Sequence, residues 1–281
     1  MKKLSSLLEL NHFLSKISEK KSLGFVPTMG ALHKGHASLV KRSVDENDCS
    51  ICSIFINPTQ FNNHKDLESY PQTITKDLEL LQNLNCDAVF TPTVKEIYPT
   101  SKLVVSHSLD VCHENLEGKS RPGHFEGVVA VVSRLFDLIQ PNNAYFGEKD
   151  RQQLSIIKSL AKKSYKHINI VSCPTLRASD GLALSSRNVR LDDQGRLLAP
   201  KIFGNLLVAK NMAKYSSLEE VRAWVHKEFQ KTDGLNLDYF EFVDPNSFKT
   251  SYSWGSSDSH VACIAVNIGP VRLIDNILID F

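Results

Sequence analysis

Residues 23–36 read LGFVPTMGALHKGH, and the order of their chemistry decides the fold. LGFVPT (23–28) is a short apolar run of strand length, Gly30 marks a turn, and ASLVKRSVDEN (37–47) carries helical spacing. A strand, a glycine turn and a helix in that order leave free backbone N–H groups and the positive end of a helix dipole facing one point, which favours an anion. His33 and His36, three residues apart, fall on one face of that first turn, and Gly35 lets a ligand come close to the backbone. On these residues alone three uses stay open: phosphate binding, corner packing and a metal. A metal would need further ligands, and no HExxH pattern or nearby carboxylate supplies them.

Working outward, short β-branched runs alternate with longer helical ones. SICSIFIN (50–57) reads as a second strand, LESYPQTITKDLELLQNLN (67–85) as a mostly helical segment broken near Pro71, and DAVFTP (87–92) as a third strand. LVVSHS (103–108) reads as extended, FEGVVAVVSRLFDLIQ (125–140) as a long helix stopped by Pro141, AYFGE (144–148) as a strand end, QQLSIIKSLAKKS (152–164) as a helix and INIVSCPT (168–175) as a strand. Such alternation predicts an α/β fold, a doubly wound parallel sheet with ligands at the carboxyl ends of its strands. After about Leu176 the pattern changes to helices at 195–215 and 217–230, followed by strands at 237–244, 260–268 and 271–280, which predicts a smaller α+β domain. The expected domains are therefore 1–176 and 177–281.

A chain of 281 residues with 42% hydrophobic and 23% charged residues is long enough to bury a core without a staple, and no apolar run approaches the ~20 residues of a membrane helix. The first twenty residues begin with two lysines, yet Glu9, Asn11 and His12 interrupt any signal-peptide core, so they read as an amphipathic helix of a cytoplasmic protein. Net charge is +2 with basic residues scattered, which argues against nucleic acid as a partner. Among six cysteines, Cys49 and Cys52 form a C-x-x-C pair, but they sit in a β-branched strand pattern rather than at a helix start, so they read as core thiols instead of a redox or zinc pair.

Four further stretches carry polar chemistry. FINPTQF (55–61) places Asn57 and Gln60 at a strand end between phenylalanines, either as a small-substrate pocket or as a plain turn. LEGKSRPGHFEGV (116–128) gathers Lys119, Arg121, His124 and Glu126 on a glycine-rich loop, suited to an anion or simply solvated. AYFGEKDRQQL (144–154) sets Lys149 beside a helix start, where a polyphosphate would bind and where Asp150 would equally serve as a cap. In RASDGLALSSRN (177–188), Ser185, Ser186 and Arg187 offer hydroxyl and guanidinium donors in sequence, and no G-x-S-x-G elbow marks a nucleophile.

Taken in order and spacing, PTMGALHKGH, FINPTQF, EGKSRPGHF, FGEKDRQQ and DGLALSSRN closely resemble the pantoate–β-alanine ligase family, over nearly the whole chain to VRLIDN. The first and last of these are also similar to the HIGH and KMSKS signatures of the nucleotidyltransferase superfamily. The resemblance implies a Rossmann-like N-terminal domain, a smaller C-terminal lid and a homodimer. It implies condensation of pantoate with β-alanine through a pantoyl adenylate, with ATP and Mg2+ and with no membrane or nucleic-acid partner. Carried over by position, Met29, Gly30, Ala31, Leu32, His33, Lys34, Gly35 and His36 would contact ATP, with His36 as proton donor. Gly147, Glu148, Lys149 and Asp150 would join that ATP site, as would Leu176, Leu184, Ser185, Ser186 and Arg187. Gln60 would hold pantoate and β-alanine, and Gln153 pantoate. His33, His36, Lys149 and Arg187 form the expected catalytic group, stabilising charge on the phosphates. Gln72 departs from the arginine that family members commonly show, and Leu184 from a methionine found in some. Two rival readings are a nucleotidyltransferase that stops at AMP transfer and a nucleotide-binding regulator without turnover.

Overall fold

The structure is a computed structural model that describes residues 1–99, 113–256 and 259–281; the extended segment expected at 103–108 lies outside them. The chain divides into two compact units, one of Met1–Glu148 with Ile156–Pro174 and one of Lys149–Ser155 with Thr175–Phe281.

The first unit is built on a six-stranded, wholly parallel sheet: β1 (Lys2–Leu4), β2 (Leu23–Thr28), β3 (Cys49–Ile54), β4 (Ala88–Phe90), β5 (Asn143–Gly147) and β6 (Asn169–Cys173), in the order β1-β4-β3-β2-β5-β6. β2 is fully paired with β3, from Leu23↔Cys49 to Thr28↔Ile54, and touches β5 on its other side. The chain moves outward from β2 through β3 and β4, then returns to β5 on the opposite flank. That reversal makes the carboxyl ends of β2 and β5 the topological switch point, where ligands bind in open α/β sheets. Helices Lys34–Glu46, Ile74–Asn83, His124–Ile139 and Arg151–Ser164 accompany these strands. Val26, Val40, Cys52, Leu81, Val89 and Tyr145 form part of one core cluster, each such aliphatic contributing about 1.5–3 kcal/mol on full burial.

Local sequence explains the boundaries. Pro71 separates helices His64–Glu68 and Ile74–Asn83, and the helix that begins at His124 ends at Ile139, where Gln140 turns to φ 50° before Pro141. The N-terminal segment differs from its helical reading, because β1 precedes a shorter helix, Leu7–Leu14. Three residues are too few to show a period of two. β1 exists through its ladder to β4, with Lys2 N–H donating to the Asp87 carbonyl at 2.7 Å and Thr91 N–H to that of Leu4 at 2.8 Å.

The second unit carries an antiparallel sheet, β7 (Asn236–Val243), β8 (Ser259–Ile268) and β9 (Val271–Asp280), with β8 in the centre. Helices Lys201–Met212 and Leu218–Gln230 bury Leu206, Ala209, Val221, Val225 and Phe229 in a cluster with Phe240, Phe242, Ile264 and Val266. The helix read over 195–215 is two, Asp193–Leu198 and Lys201–Met212, divided at Pro200, which has no N–H to continue the ladder.

Candidate active site

β2 ends at Thr28, and the chain then enters a turn with φ +80° at Gly30 and +50° at Ala31. Two groups fix this turn. Thr28 Oγ1 donates to the Ser53 carbonyl at 2.7 Å and accepts from Gly30 N–H at 3.2 Å. Asp77, 2% exposed on the helix Ile74–Asn83, accepts from Ala31 N–H at 2.9 Å and from Leu32 N–H at 2.8 Å, while Thr73 Oγ1 donates to it at 2.9 Å. A buried carboxylate held by three donors is among the stronger neutral-to-ionic hydrogen-bond arrangements available to a turn.

The helix Lys34–Glu46 starts from His33, and its first turn is closed by the two imidazoles. His33 Nδ1 accepts from Gly35 N–H at 3.0 Å and His36 Nδ1 accepts from His33 N–H at 3.4 Å; the rings lie 4.1 Å apart, centroid to centroid. Because both Nδ1 atoms act as acceptors, the proton of each neutral ring resides on Nε2. Capping therefore sets the tautomer of both histidines and makes Nε2–H the donor of each. Lys34, between them, is exposed.

Gln60 closes the short 3-10 turn Pro58–Gln60 and is 7% exposed. Asn57 determines its orientation. Asn57 Oδ1 accepts from the Tyr98 hydroxyl at 2.9 Å and from Thr59 Oγ1 at 2.9 Å, so its Nδ2 donates, to Gln60 Oε1 at 3.1 Å and to the Gly127 carbonyl at 3.0 Å. Gln60 Nε2 is consequently the donor end, directed at Met29 Sδ 3.1 Å away. The Gln60 carbonyl accepts from His124 Nδ1 at 2.8 Å and from Arg121 Nη2 at 3.5 Å, and Arg121 Nη1 lies 3.1 Å from His124 Nε2. A Cβ at Gly127 would overlap the Thr59 carbonyl and come within 2.7 Å of Gln60 Cα, so only glycine lets the helix His124–Ile139 approach this turn.

The glycine-rich stretch 116–128 is thus support for Gln60: His124 is buried, Arg121 pairs with Glu117 at 3.8 Å, and only Lys119 of the four polar residues singled out there is exposed. Gly147 ends β5, and Glu148–Asp150 form a 3-10 turn. In the second unit Lys149, 17% exposed, lies 3.7 Å from Asp150, and Gln152 and Gln153 open the helix Arg151–Ser164, buried and half-buried respectively. Leu176 and Leu184 face each other across a hairpin through Leu184 N–H and the Leu176 carbonyl, 3.0 Å apart. Ser185 Oγ then caps the turn Ser186–Arg190 by accepting from Arg187 N–H at 3.2 Å. Lys149 and Ser185 line one hollow with Leu182, Phe203 and Asp275.

The first unit therefore brings Met29–His36 and Gln60 together, and the second brings Lys149 and Ser185 together. Asp77 and Tyr98 escape sequence reading, since an aspartate four residues after Thr73 in a helical pattern carries no signal of the turn it reaches. Cys49 and Cys52 are free and buried; burial pushes the Cys49 thiol up to about 11 and the Cys52 thiol well above its ordinary value. Among the described residues no group of three or more His, Cys, Asp or Glu is placed to hold a metal ion.

Comparison with known proteins matches residues 2–278 to the family model described as pantoate-beta-alanine ligase. The chain is 45% identical over 278 residues to the pantothenate synthetase of Porphyromonas gingivalis strain ATCC 33277, covering 99% of both. It is 46% identical over 281 residues to that of Phocaeicola vulgatus, again covering 99% of both. Among solved structures, pantothenate synthetase from Thermus thermophilus superposes with a TM-score of 0.90 at 36% identity, covering 99% of each chain. Pantoate-beta-alanine ligase from Francisella tularensis, complexed with beta-gamma ATP and beta-alanine, gives 0.82 at 39% identity over 99% of this chain and 97% of that one.

Proposed function

The chain belongs to the pantoate–β-alanine ligase family, and from that premise we propose how its own residues divide the work. The reaction is the ATP-dependent condensation of pantoate with β-alanine. In its first half a pantoate carboxylate oxygen attacks the α-phosphorus, the bond to the bridging oxygen breaks, and pyrophosphate leaves. In the second half the β-alanine nitrogen attacks the acyl carbon and AMP departs with the electron pair of the broken C–O bond, while the amine loses its proton.

Negative charge accumulates on the phosphate oxygens in the first half, and fixed donors stabilise it. His33 and His36 supply Nε2–H donors whose tautomer is set by the capping hydrogen bonds, with His36 as the donor that hydrogen-bonds the departing phosphate and stabilises its charge. This is the observation that carries the reading: two imidazoles with defined donor atoms at the switch point of the sheet. The free N–H groups expected of the turn are largely engaged, since those of Gly30, Ala31, Leu32, His33 and Gly35 donate to Thr28, Asp77 and the two imidazoles, so Met29–Gly35 shape the nucleotide site while the phosphates fall to side chains. Lys149, Ser185, Ser186 and Arg187 hold the triphosphate, with Gly147, Glu148, Asp150, Leu176 and Leu184 shaping the backbone around the nucleotide. Gln60, its Nε2 presented as a donor, binds oxygens of pantoate and β-alanine, and Gln153 binds pantoate. No covalent enzyme intermediate is required, because the adenylate is already the activated acyl group.

Magnesium fits as an ion that arrives with the nucleotide. Mg2+ commonly binds through substrate phosphates plus one or two carboxylates, and both oxygens of Asp77, the buried carboxylate at the histidine turn, are engaged by Ala31, Leu32 and Thr73. When bound it supplies charge neutralisation of the phosphates. A cytoplasmic homodimer completes the reading, supported by the family resemblance; no helix among the described residues is long and apolar enough to cross a membrane.

The test is pantoate-dependent exchange of labelled pyrophosphate into ATP, with magnesium present and β-alanine absent. Exchange is expected. A folded protein that binds ATP but shows none would favour a transferase for another acceptor, or a nucleotide-binding regulator.

A further inference from the structure

Arg177 and Asp275 form a bidentate pair inside the second unit, the aspartate buried and the arginine largely covered. Arg177 Nη1 donates to Asp275 Oδ2 at 2.6 Å and Nη2 to Oδ1 at 2.9 Å, with the arginine side chain 18% and the aspartate 3% exposed. The same Nη1 reaches the Gly181 carbonyl at 3.2 Å, and the guanidinium carbon stands 3.5 Å over the Phe203 ring.

Each partner belongs to a different piece of the nucleotide machinery. Arg177 pairs with Ala183 in the hairpin whose far strand runs directly into Ser185–Arg187, and Asn188 Nδ2 ties that loop back to the Ala183 carbonyl at 3.0 Å. Asp275 lies on β9, where Oδ1 also accepts from Asn276 N–H at 2.8 Å; Asn276 Nδ2 in turn donates to the Lys149 carbonyl at 2.9 Å. A continuous path thus runs from the serine loop, through the guanidinium fork and β9, to the backbone of Lys149. Asp275 also lines the hollow that Lys149 and Ser185 share.

Ion pairs buried in this way are a poor source of stability, since apolar residues of equal volume often do as well or better. What the fork supplies is one allowed geometry: two parallel N–H···O bonds and a ring on the guanidinium face fix the hairpin on β9 in one register. We propose that Arg177 and Asp275 are positioning residues that hold Ser185–Arg187 and Lys149 in the arrangement that grips the ATP phosphates. This rests on the reading of Lys149 and Arg187 as phosphate ligands.

The experiment measures KM for ATP and for pantoate separately in the full-length protein. Arg177→Lys keeps the charge and loses the fork; it is expected to raise KM for ATP about tenfold, the equivalent of about 1.4 kcal/mol, with KM for pantoate within about twofold of the parent. Asp275→Asn is expected to do the same, and the double variant to be no worse than either single change, as for two halves of one device. An effect of charge alone predicts the opposite for Asp275→Asn, because removing an anion beside the phosphates would tighten ATP. A fall or no change in KM for ATP, or a parallel rise in both KM values, overturns the proposal. Should Asp275→Asn be obtained only unfolded, Arg177→Lys decides alone. Lys149→Ala and Arg187→Ala separate the two levels: if they leave KM for ATP unchanged, the ligand reading falls and the positioning role with it. If they raise it while Arg177→Lys does not, only the positioning role falls.

Discussion

His33 and His36, and Cys49 and Cys52, are two pairs with the same spacing in neighbouring elements, and the fold treats them oppositely. Three residues along the first turn of a helix place two side chains on one face, and there the imidazole rings meet at 4.1 Å. Three residues along β3 place two thiols on opposite faces, because successive strand residues alternate. The histidines are half-buried with defined donor atoms, whereas the thiols are buried and held protonated, Cys49 at about 11. Spacing becomes chemistry only once the element that carries it is known.

The largest expected effect tests the histidine side of that comparison. Replacing His36 with Ala should slow pyrophosphate exchange by about 10²–10³-fold, the range for loss of one donor to developing charge, with a loss of about 0.5–2 kcal/mol in thermal unfolding as its cap on His33 N–H goes. Wild-type exchange in that variant would remove the chemical distinction between the pairs.

Next comes the support beneath the turn. Asp77→Asn turns an amide N–H toward N–H groups that now meet a carboxylate, at Ala31 and Leu32. Urea unfolding should show a loss of about 1–3 kcal/mol, the penalty for buried donors left unmatched, and exchange should fall as the turn loosens. If stability and exchange both stay at the parent value, the turn is held by its glycine and caps alone.

The smallest effect concerns the thiols. Iodoacetamide at pH 8 should leave Cys49, Cys52 and Cys86 unlabelled in the folded protein, and mass spectrometry of the three peptides reads this directly. Burial raises Cys49 to about 11 and Cys86 to about 12, from an ordinary 9.0. The stability these thiols contribute is therefore complete below pH 9 and drains away as pH rises toward 11–12, which a series of alkaline melts would resolve. Activity that depends on the redox state of Cys49 and Cys52 would contradict their placement as core thiols.

Much of this could be read in the residues themselves. LGFVPT is β2 from Leu23 to Thr28, and VRLIDNILID is β9 from Val271 to Asp280, because an apolar strand bounded by turn residues announces itself. β1 could not be read, being three residues long and dependent on β4 for its ladder. The stretch 116–128 looks like a cationic loop, yet His124 and Arg121 turn inward to the Gln60 carbonyl, a partner no local pattern reveals.

By itself the sequence determined the strand–turn–helix unit at residues 23–46, the histidine spacing, the serine loop and the α/β alternation. These depend on hydrogen bonds and side-chain periods acting over about four residues or fewer, which composition and order specify directly. Only the tertiary structure decided what holds them: Asp77 reaches Ala31 across 46 positions, His124 reaches Gln60 across 64, and Arg177 reaches Asp275 across 98. Contacts of that separation are fixed by strand order and by which helix packs on which face, so they come into existence with the fold as a whole.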